Sequence, residues 1–214
     1  MLILGPNKFY NASILSMSPR REDGVGFKAC LDESCLTPLD ASYTYGNAFT
    51  VGYLKSKIFA EKAVLSYNGF DHGILEVVTL PCGLVGGETL LSYLPISVGA
   101  ILLQLTGDLF SGNSLNLLQE CIGLVPIAHV NDICQAHIFC MEQLSMRGRF
   151  CCAVSGLSIK EMAILTQGPQ VGSKGDFSKL MKMGFEYEYG IKDILDDSVA
   201  WAKKLNGSSL SQVV

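Results

Sequence analysis

The chain has 214 residues, of which 49% are apolar and 17% are charged, so it can fill a sizeable hydrophobic core. Its net charge of −4 gives no basic surface of the kind that binds nucleic acid or anionic membranes. The eight cysteines show no disulfide-framework spacing, and the first residues lack the basic segment of a secretory signal. These features indicate reduced thiols and a cytoplasmic protein.

The first predicted element is a short strand from Lys8 to Ser13, and a long loop follows it from Ser16 to Asn47. Loops of this length inside a domain are usually functional or disordered, and we expect this one to act as a substrate-facing lid. The first clear helix is predicted from Phe49 to Tyr67, where Asn68-Gly69 provides a stop signal.

Tyr53 and Lys57 are four residues apart in this helix, which places them on one face and one turn from each other. A free phenol has a pKa of about 10, too high for acid–base catalysis at neutral pH. An ammonium at about 4 Å would favour the phenolate by roughly 4 kcal/mol, which corresponds to as many as about three pKa units. The pair is therefore a candidate general acid, although a half-buried Tyr beside a solvated Lys has the same spacing.

The apolar run from Ile74 to Leu80 is typical of a central parallel strand that is covered on both faces. We predict that Pro81 ends this strand and that Gly83, Gly86 and Gly87 form a turn. Ligands bind at such turns in open α/β sheets, because the carboxyl ends of parallel strands meet there.

The later elements alternate in the same way. We predict a helix at Ser97–Thr106, a strand at Val125–Val130, and a helix that is capped by Asn131 or Asp132 and runs to Leu144. A short strand at Phe150–Val154 and a helix opened by the Ser158–Glu161 capping box follow. The last helix is predicted at Ile191–Leu205, with Val199 and Trp201 on its apolar side, and a loose tail begins at Asn206. The uncharged stretch around the first of these helices contains Pro and polar residues, and we predict that it is buried and does not cross a membrane. Alternating strands and helices predict an α/β fold with a parallel sheet.

Two competing kinds of site are less well supported. The cluster His129, Cys134, His137 and Cys140 could suggest zinc, but spacings of three residues drift around a helix and no C-x-x-C pair supports them, so we predict no metal site. A hydrolase using Ser13 or a nucleophilic Cys82 lacks a G-x-S-x-G elbow and a basic neighbourhood for the thiol.

Several segments together resemble the plant group of extended short-chain dehydrogenase/reductases that includes the dihydroflavonol, anthocyanidin, vestitone and cinnamoyl-CoA reductases. In chain order these segments are LDESCLTPLD, YLKSKIFAEKAVLSY, VVTLPCGLVGG, VPIAHVNDICQAHIF, GRFCCA and MGFEYEYGIKDILDDSV. The resemblance extends from about Lys8 to Leu205, and the order and spacing of the segments carry it.

The resemblance implies a catalytic triad of Ser13, Tyr53 and Lys57. In the family, the serine hydrogen-bonds the substrate carbonyl, the tyrosine donates a proton, and the lysine supports the tyrosine and holds the nicotinamide ribose. It also implies contacts to the nicotinamide end from the segment Pro81, Cys82, Leu84 and Val85. Ser18 stands where dihydroflavonol reductases often carry a substrate-binding Asn, and Asn11-Ala12 and Leu36 are further departures from the family pattern.

The implied fold is the C-terminal part of a Rossmann-type sheet, because no Gly-rich strand–turn–helix unit precedes Ser13. We expect residues 1–92 and 124–145 to form the remaining nucleotide-binding part. Residues 93–123 and 146–205 would form a small α+β lobe on the substrate side, and 206–214 a disordered tail.

The implied function is NADPH-dependent reduction of a flavonoid-like carbonyl or phenolic substrate, impaired by loss of the Gly-rich half. The alternative is a catalytically silent relative that persists as an interaction or orphan domain, because the pyrophosphate-binding helix N-terminus is missing. An uncovered sheet edge would also favour self-association.

Overall fold

The protein is seen in a computed structural model that describes residues 7–21, 26–69, 76–103, 109–143, 146–164 and 174–205. The strands are β1 Asn7–Ser13, β2 Cys30–Leu31, β3 Glu76–Cys82, β4 Leu84–Gly86, β5 Val125–His129, β6 Gly148–Arg149, β7 Ser155–Leu157 and β8 Lys174–Gly175. The helices are α1 Ala48–Ser66, α2 Ile96–Ile101, α3 Leu109–Ile122, α4 Val130–Glu142, α5 Ile159–Ile164, α6 Ser178–Lys182 and α7 Ile191–Leu205, and short 3-10 helices span Ile14–Ser16 and Tyr67–Gly69.

A parallel sheet with the order β1-β3-β6 forms the centre of the described fold. The register pairs Ser13, the last residue of β1, with Cys82, the last residue of β3. A second group has β4 parallel to β5 and β7 antiparallel to β5, while β2 pairs in parallel with β8. The carboxyl ends of β1 and β3 therefore lie side by side, and the predicted α/β fold with a parallel sheet is confirmed.

Strand β3 is buried on both faces, as its apolar run predicted. Alternate residues point to opposite sides of a strand, and Val78 and Leu80 join an apolar cluster with Ile133 and Ala136 of α4. The side chain of Thr79 points the other way, to α1. The central sheet is thus a layer between two helices.

One boundary was predicted wrongly, because β3 continues through Pro81 instead of ending there. Proline removes a donor from a sheet but keeps its acceptor. The Pro81 carbonyl accepts a hydrogen bond from the Cys152 N–H at 3.0 Å, and the Gly83 N–H donates to the Cys152 carbonyl at 3.0 Å. The sheet is therefore extended past the proline without needing its missing N–H.

Three other predictions need correction. Gly86 belongs to the short strand β4, where we expected only a turn, and α3 was not predicted at all. The segment Phe150–Val154, where we expected a strand, lies between β6 and β7 and forms only a single bridge, between Cys152 and Cys82. The loop predicted from Ser16 to Asn47 contains β2.

The helix after β5 is capped by His129, and not by Asn131 or Asp132 as we predicted, because the His129 Nδ1 accepts from the Asn131 N–H at 3.2 Å. By contrast, the capping box of α5 is confirmed: the Ser158 N–H donates to Glu161 at 2.6 Å and the Glu161 N–H donates to Ser158 at 3.1 Å. The helix Ile191–Leu205 has the predicted bounds.

The division into a nucleotide-binding part and a substrate-side lobe stays a prediction, and β6, which we assigned to the lobe, pairs with β3. The predicted tail lies outside the described residues. Within the described part of the chain, no helix has both the length and the apolarity needed to cross a membrane.

Candidate active site

Ser13 lies where β1 passes into a 3-10 helix. Its backbone is extended, and its hydroxyl oxygen accepts a hydrogen bond from the Leu15 N–H at 3.3 Å, which caps the short helix. The side chain is half-buried. The hydroxyl is thus held at the carboxyl end of the sheet, and a serine hydroxyl that accepts one hydrogen bond can still donate another.

Tyr53 and Lys57 lie on α1, which starts at a capping box formed by Asn47 and Thr50. The Lys57 Nζ lies 5.5 Å from the centre of the Tyr53 ring, within the range of a cation–π contact. The Tyr53 side chain is 44% exposed, whereas Leu54 next to it is buried in the core. The predicted one-turn arrangement is present, and the phenol is accessible from outside the protein.

Helix α1 is fixed to the sheet by a buried carboxylate that our sequence interpretation missed. Glu61 accepts two hydrogen bonds from Arg149, from Nε at 3.0 Å and from Nη2 at 2.7 Å. It also accepts from the Thr79 hydroxyl at 2.7 Å and from the Ser16 hydroxyl. The detectable signal was a charge on an apolar stripe, since Glu61 follows Leu54 and Ile58 at helical spacing.

The predicted nicotinamide-side segment covers the carboxyl end of β3 and the first residues of β4. Pro81 and Cys82 are buried, while Leu84 and Val85 are half-buried. The Cys82 thiol lies 3.3 Å from the Asn11 Oδ1, which joins this segment to β1 close to Ser13. The structure therefore brings the segment and the candidate serine to the same edge of the sheet.

Ser18, the candidate substrate contact, is fully buried. Its hydroxyl donates to the Cys121 carbonyl and accepts from the Arg20 N–H at 3.1 Å. Both roles of this hydroxyl are satisfied inside the protein, and its substrate-binding role remains a prediction.

His129 caps α4, and Asp132 lies in the first turn of this helix. Asp132 accepts from the backbone N–H groups of Glu188 at 3.0 Å and Tyr189 at 3.3 Å, which attaches the segment before α7. No group of three or more potential metal ligands occurs among the residues that the structure describes.

The thiols near the site are buried and free. The hydrogen bond with the Cys82 thiol, together with burial, raises the pKa of Cys152 well above its ordinary value. Burial likewise raises the pKa of Cys140 to about 12. Thiols with raised pKa values are poor nucleophiles, so neither Cys140 nor Cys152 has the character of a reactive cysteine.

An open cavity of about 370 Å³ lies between Arg20, Tyr45 and Glu120, and none of the predicted site residues lines it. Burial alone would raise the pKa of Glu120, but the N–H groups of Thr44 and Tyr45 donate to its carboxylate and hold the pKa below its ordinary value. The carboxylate is therefore occupied by the protein's own backbone.

No family model matches the chain. The chain is 33% identical to an anthocyanidin reductase ((2S)-flavan-3-ol-forming) of Vitis vinifera over 90% of its own length and 60% of the relative's. It is 31% identical to vestitone reductase of Medicago sativa over 83% of its length and 56% of the relative's. The chain thus spans about 60% of the length of the curated relatives that it matches.

The fold matches solved structures over nearly all of the chain. The crystal structure of alfalfa vestitone reductase superposes with a TM-score of 0.71 and 26% identity, covering 94% of this chain and 66% of that one. A yeast methylglyoxal/isovaleraldehyde reductase solved with NADPH superposes with a TM-score of 0.66 at 15% identity, a likeness of fold alone.

Proposed function

We propose that this chain carries the catalytic end of an NADPH-dependent reductase for flavonoid-like carbonyl or phenolic substrates. The chain belongs, with the anthocyanidin and vestitone reductases, to the short-chain dehydrogenase/reductase family. The observation that carries the proposal is the arrangement of Tyr53 and Lys57 on a helix that packs against β1 and β3. Ser13 ends the first of these strands and leads into the 3-10 helix Ile14–Ser16, which also packs against α1.

The residues at this edge fit the nicotinamide end of a dinucleotide. Leu84 and Val85 are half-buried directly after the carboxyl end of the parallel strand β3, and open α/β sheets bind ligands at such ends. Tyr53 and Lys57 are accessible enough to reach a ribose hydroxyl. When bound, NADPH supplies a hydride for the carbonyl carbon of the substrate.

The protein's own groups would complete the reduction. The Ser13 hydroxyl donates a hydrogen bond to the carbonyl oxygen and orients it. The Tyr53 hydroxyl donates its proton to that oxygen, where negative charge develops. The Lys57 ammonium, which lies over the Tyr53 ring, compensates the charge left on the tyrosine oxygen, because opposite charges attract.

The first test measures NADPH binding by the fluorescence of the cofactor and by the melting temperature of the chain. We expect binding to raise the melting temperature, because a ligand that binds only the folded state stabilises it. No response at millimolar NADPH would contradict the proposal. It would favour the catalytically silent alternative, which the coverage of only about 60% of the relatives keeps open.

The second test is Tyr53→Phe, which removes the acidic proton and keeps the ring. We expect turnover of a flavonoid-like carbonyl substrate to be abolished, while the melting temperature stays close to wild type and NADPH binding weakens by no more than the loss of one hydrogen bond. Tyr67→Phe, at the far end of the same helix, is the control and should retain turnover. Undiminished turnover in Tyr53→Phe would remove Tyr53 from the role of acid.

A further inference from the structure

The carboxylate of Glu61 is the meeting point of four elements. Arg149 in β6 and Thr79 in β3 are direct neighbours across the sheet, and both donate to it. Ser16, in the 3-10 helix that follows Ser13, donates its hydroxyl proton to the Glu61 Oε2. The Ser16 hydroxyl oxygen also lies 2.7 Å from the Ser13 carbonyl oxygen. The four donors occupy all the lone-pair directions of the two carboxylate oxygens.

The arginine extends this network to the long loop before α1. Its Nη1 donates to the Cys35 carbonyl at 2.7 Å, and its own carbonyl accepts from the Lys179 Nζ at 2.6 Å. Arg149 is therefore fixed from several directions, which makes it a rigid partner for Glu61.

This ion pair is poorly explained by stability alone. Glu61 is 0% exposed and Arg149 is 8% exposed, so both charges have lost most of their hydration. Burying a charge pair costs desolvation energy that apolar residues of similar size would avoid, and such replacements are often neutral or stabilising. A buried pair of this kind does fix geometry, because a bidentate contact between two planar groups allows one relative orientation.

The position of Glu61 on α1 shows which geometry is fixed. It lies one turn after Lys57 and two turns after Tyr53, so about 12 Å of helix separates it from the tyrosine. A tilt of α1 by about 5° about Glu61 would move Tyr53 by about 1 Å at this distance. Displacements of about 1 Å in a catalytic group can cost about 100-fold in rate.

We propose that Glu61 is a positioning residue, whose contacts with Arg149, Thr79 and Ser16 set the placement of Tyr53 relative to Ser13. Its effect on turnover rests on the reductase function proposed above. The placement of Tyr53 itself can be measured without any turnover, which keeps the two proposals separable.

The experiment uses Glu61→Gln in the full chain labelled with 3-fluorotyrosine. Glutamine keeps the shape but turns one acceptor into an NH2 donor, which faces Arg149 donors and breaks the bidentate contact. The Tyr53 fluorine signal is assigned by its loss in Tyr53→Phe. We expect this signal to shift or broaden in Glu61→Gln and kcat to fall by about 10- to 100-fold, while the KM for NADPH changes little.

Two further variants distinguish a loss of positioning from a general loss of stability. Leu180→Ala opens a cavity in the apolar cluster on the other face of the sheet, and should lower the melting temperature while leaving the Tyr53 signal and kcat unchanged. Ser16→Ala keeps the ion pair and removes only the link to the Ser13 segment, so its effect should have the same direction and be smaller. It also replaces Glu61→Gln as the test if that variant does not fold.

The outcomes distinguish a failure of the positioning role from a failure of the reductase function. An unchanged Tyr53 signal in the folded variant overturns the positioning role, whether or not turnover is detected. A moved signal with unchanged kcat overturns it as well. A moved signal in a protein whose wild type shows no turnover supports the positioning role and contradicts the reductase function.

Discussion

Gly87, at the carboxyl end of the sheet, has no spare volume around it. Gly87 follows β4 with a φ of +101°, a conformation that residues with a Cβ rarely adopt. A Cβ at this position would lie 2.3 Å from the Nε2 of His129. The imidazole cannot move aside easily, because it stacks on Tyr189 at 3.8 Å and its Nε2 lies 3.3 Å from Asp197.

A pair of glycine substitutions separates backbone strain from this close contact. Gly148 also has a positive φ, of +90°, but nothing lies within 4 Å of a Cβ built there. Gly148→Ala should therefore cost only the backbone term of about 1–2 kcal/mol, and Gly87→Ala should cost about 2–5 kcal/mol because overpacking is added. Urea unfolding of both variants measures the difference. An equal loss of unfolding free energy in the two variants would show that the His129 ring moves aside.

At the scale of elements, the sequence predicted those structures whose local signals agree with their packing. Helix α7 has the predicted bounds because its apolar side, with Trp201, faces the core along its whole length. Strand β3 was recognisable because both of its faces are buried. Helix α3 was missed because its first turns, with Gly112 and Asn113, are poor helix formers that tertiary packing holds in place.

The candidate site was predictable in part for the same reason. Tyr53 and Lys57 are brought together by helix geometry, which their spacing encodes, and the resemblance of the flanking segments singled out this pair. The Glu61–Arg149 contact joins residues 88 positions apart, and no local pattern encodes such a pairing. The extension of β3 through Pro81 likewise depends on a distant strand, because its support comes from the backbone of Cys152.

The start of α1 offers a test at this scale. The Asn47 Oδ1 accepts from the Thr50 N–H at 2.9 Å, and the first turn contains no acidic residue. Asn47→Ala should lower the free energy of unfolding by about 1 kcal/mol, because it leaves an N–H at the helix N-terminus without its partner.

Asn47→Asp is the matched control, because it keeps the acceptor and adds a negative charge at the positive end of the helix dipole. It should keep or raise the stability by as much as about 1 kcal/mol at low salt and neutral pH. A loss of similar size in both variants, measured by urea unfolding, would mean that the Asn47 amide group has another role.

At the scale of the whole molecule, β1 is the longest edge strand among the described residues. Within the described residues it pairs with β3 on one side, and no partner strand lies on its other side. An unpaired edge presents N–H and C=O groups that can pair with another chain. Asn11, near the carboxyl end of β1, is exposed, which places a neutral side chain at this edge.

We therefore predict that the chain on its own self-associates through the edge of β1, with an average mass in sedimentation experiments that rises with protein concentration. Asn11→Lys should reduce this association, because a charged side chain on an edge strand disfavours pairing with a second copy that carries the same charge. Gln135→Lys adds an equal charge at an exposed position of α4, outside the edge strand itself, and should leave the association unchanged. An equal fall in association with both substitutions would identify a general effect of net charge. A wild-type chain that stays monomeric at all concentrations would show that this edge does not pair with a second copy.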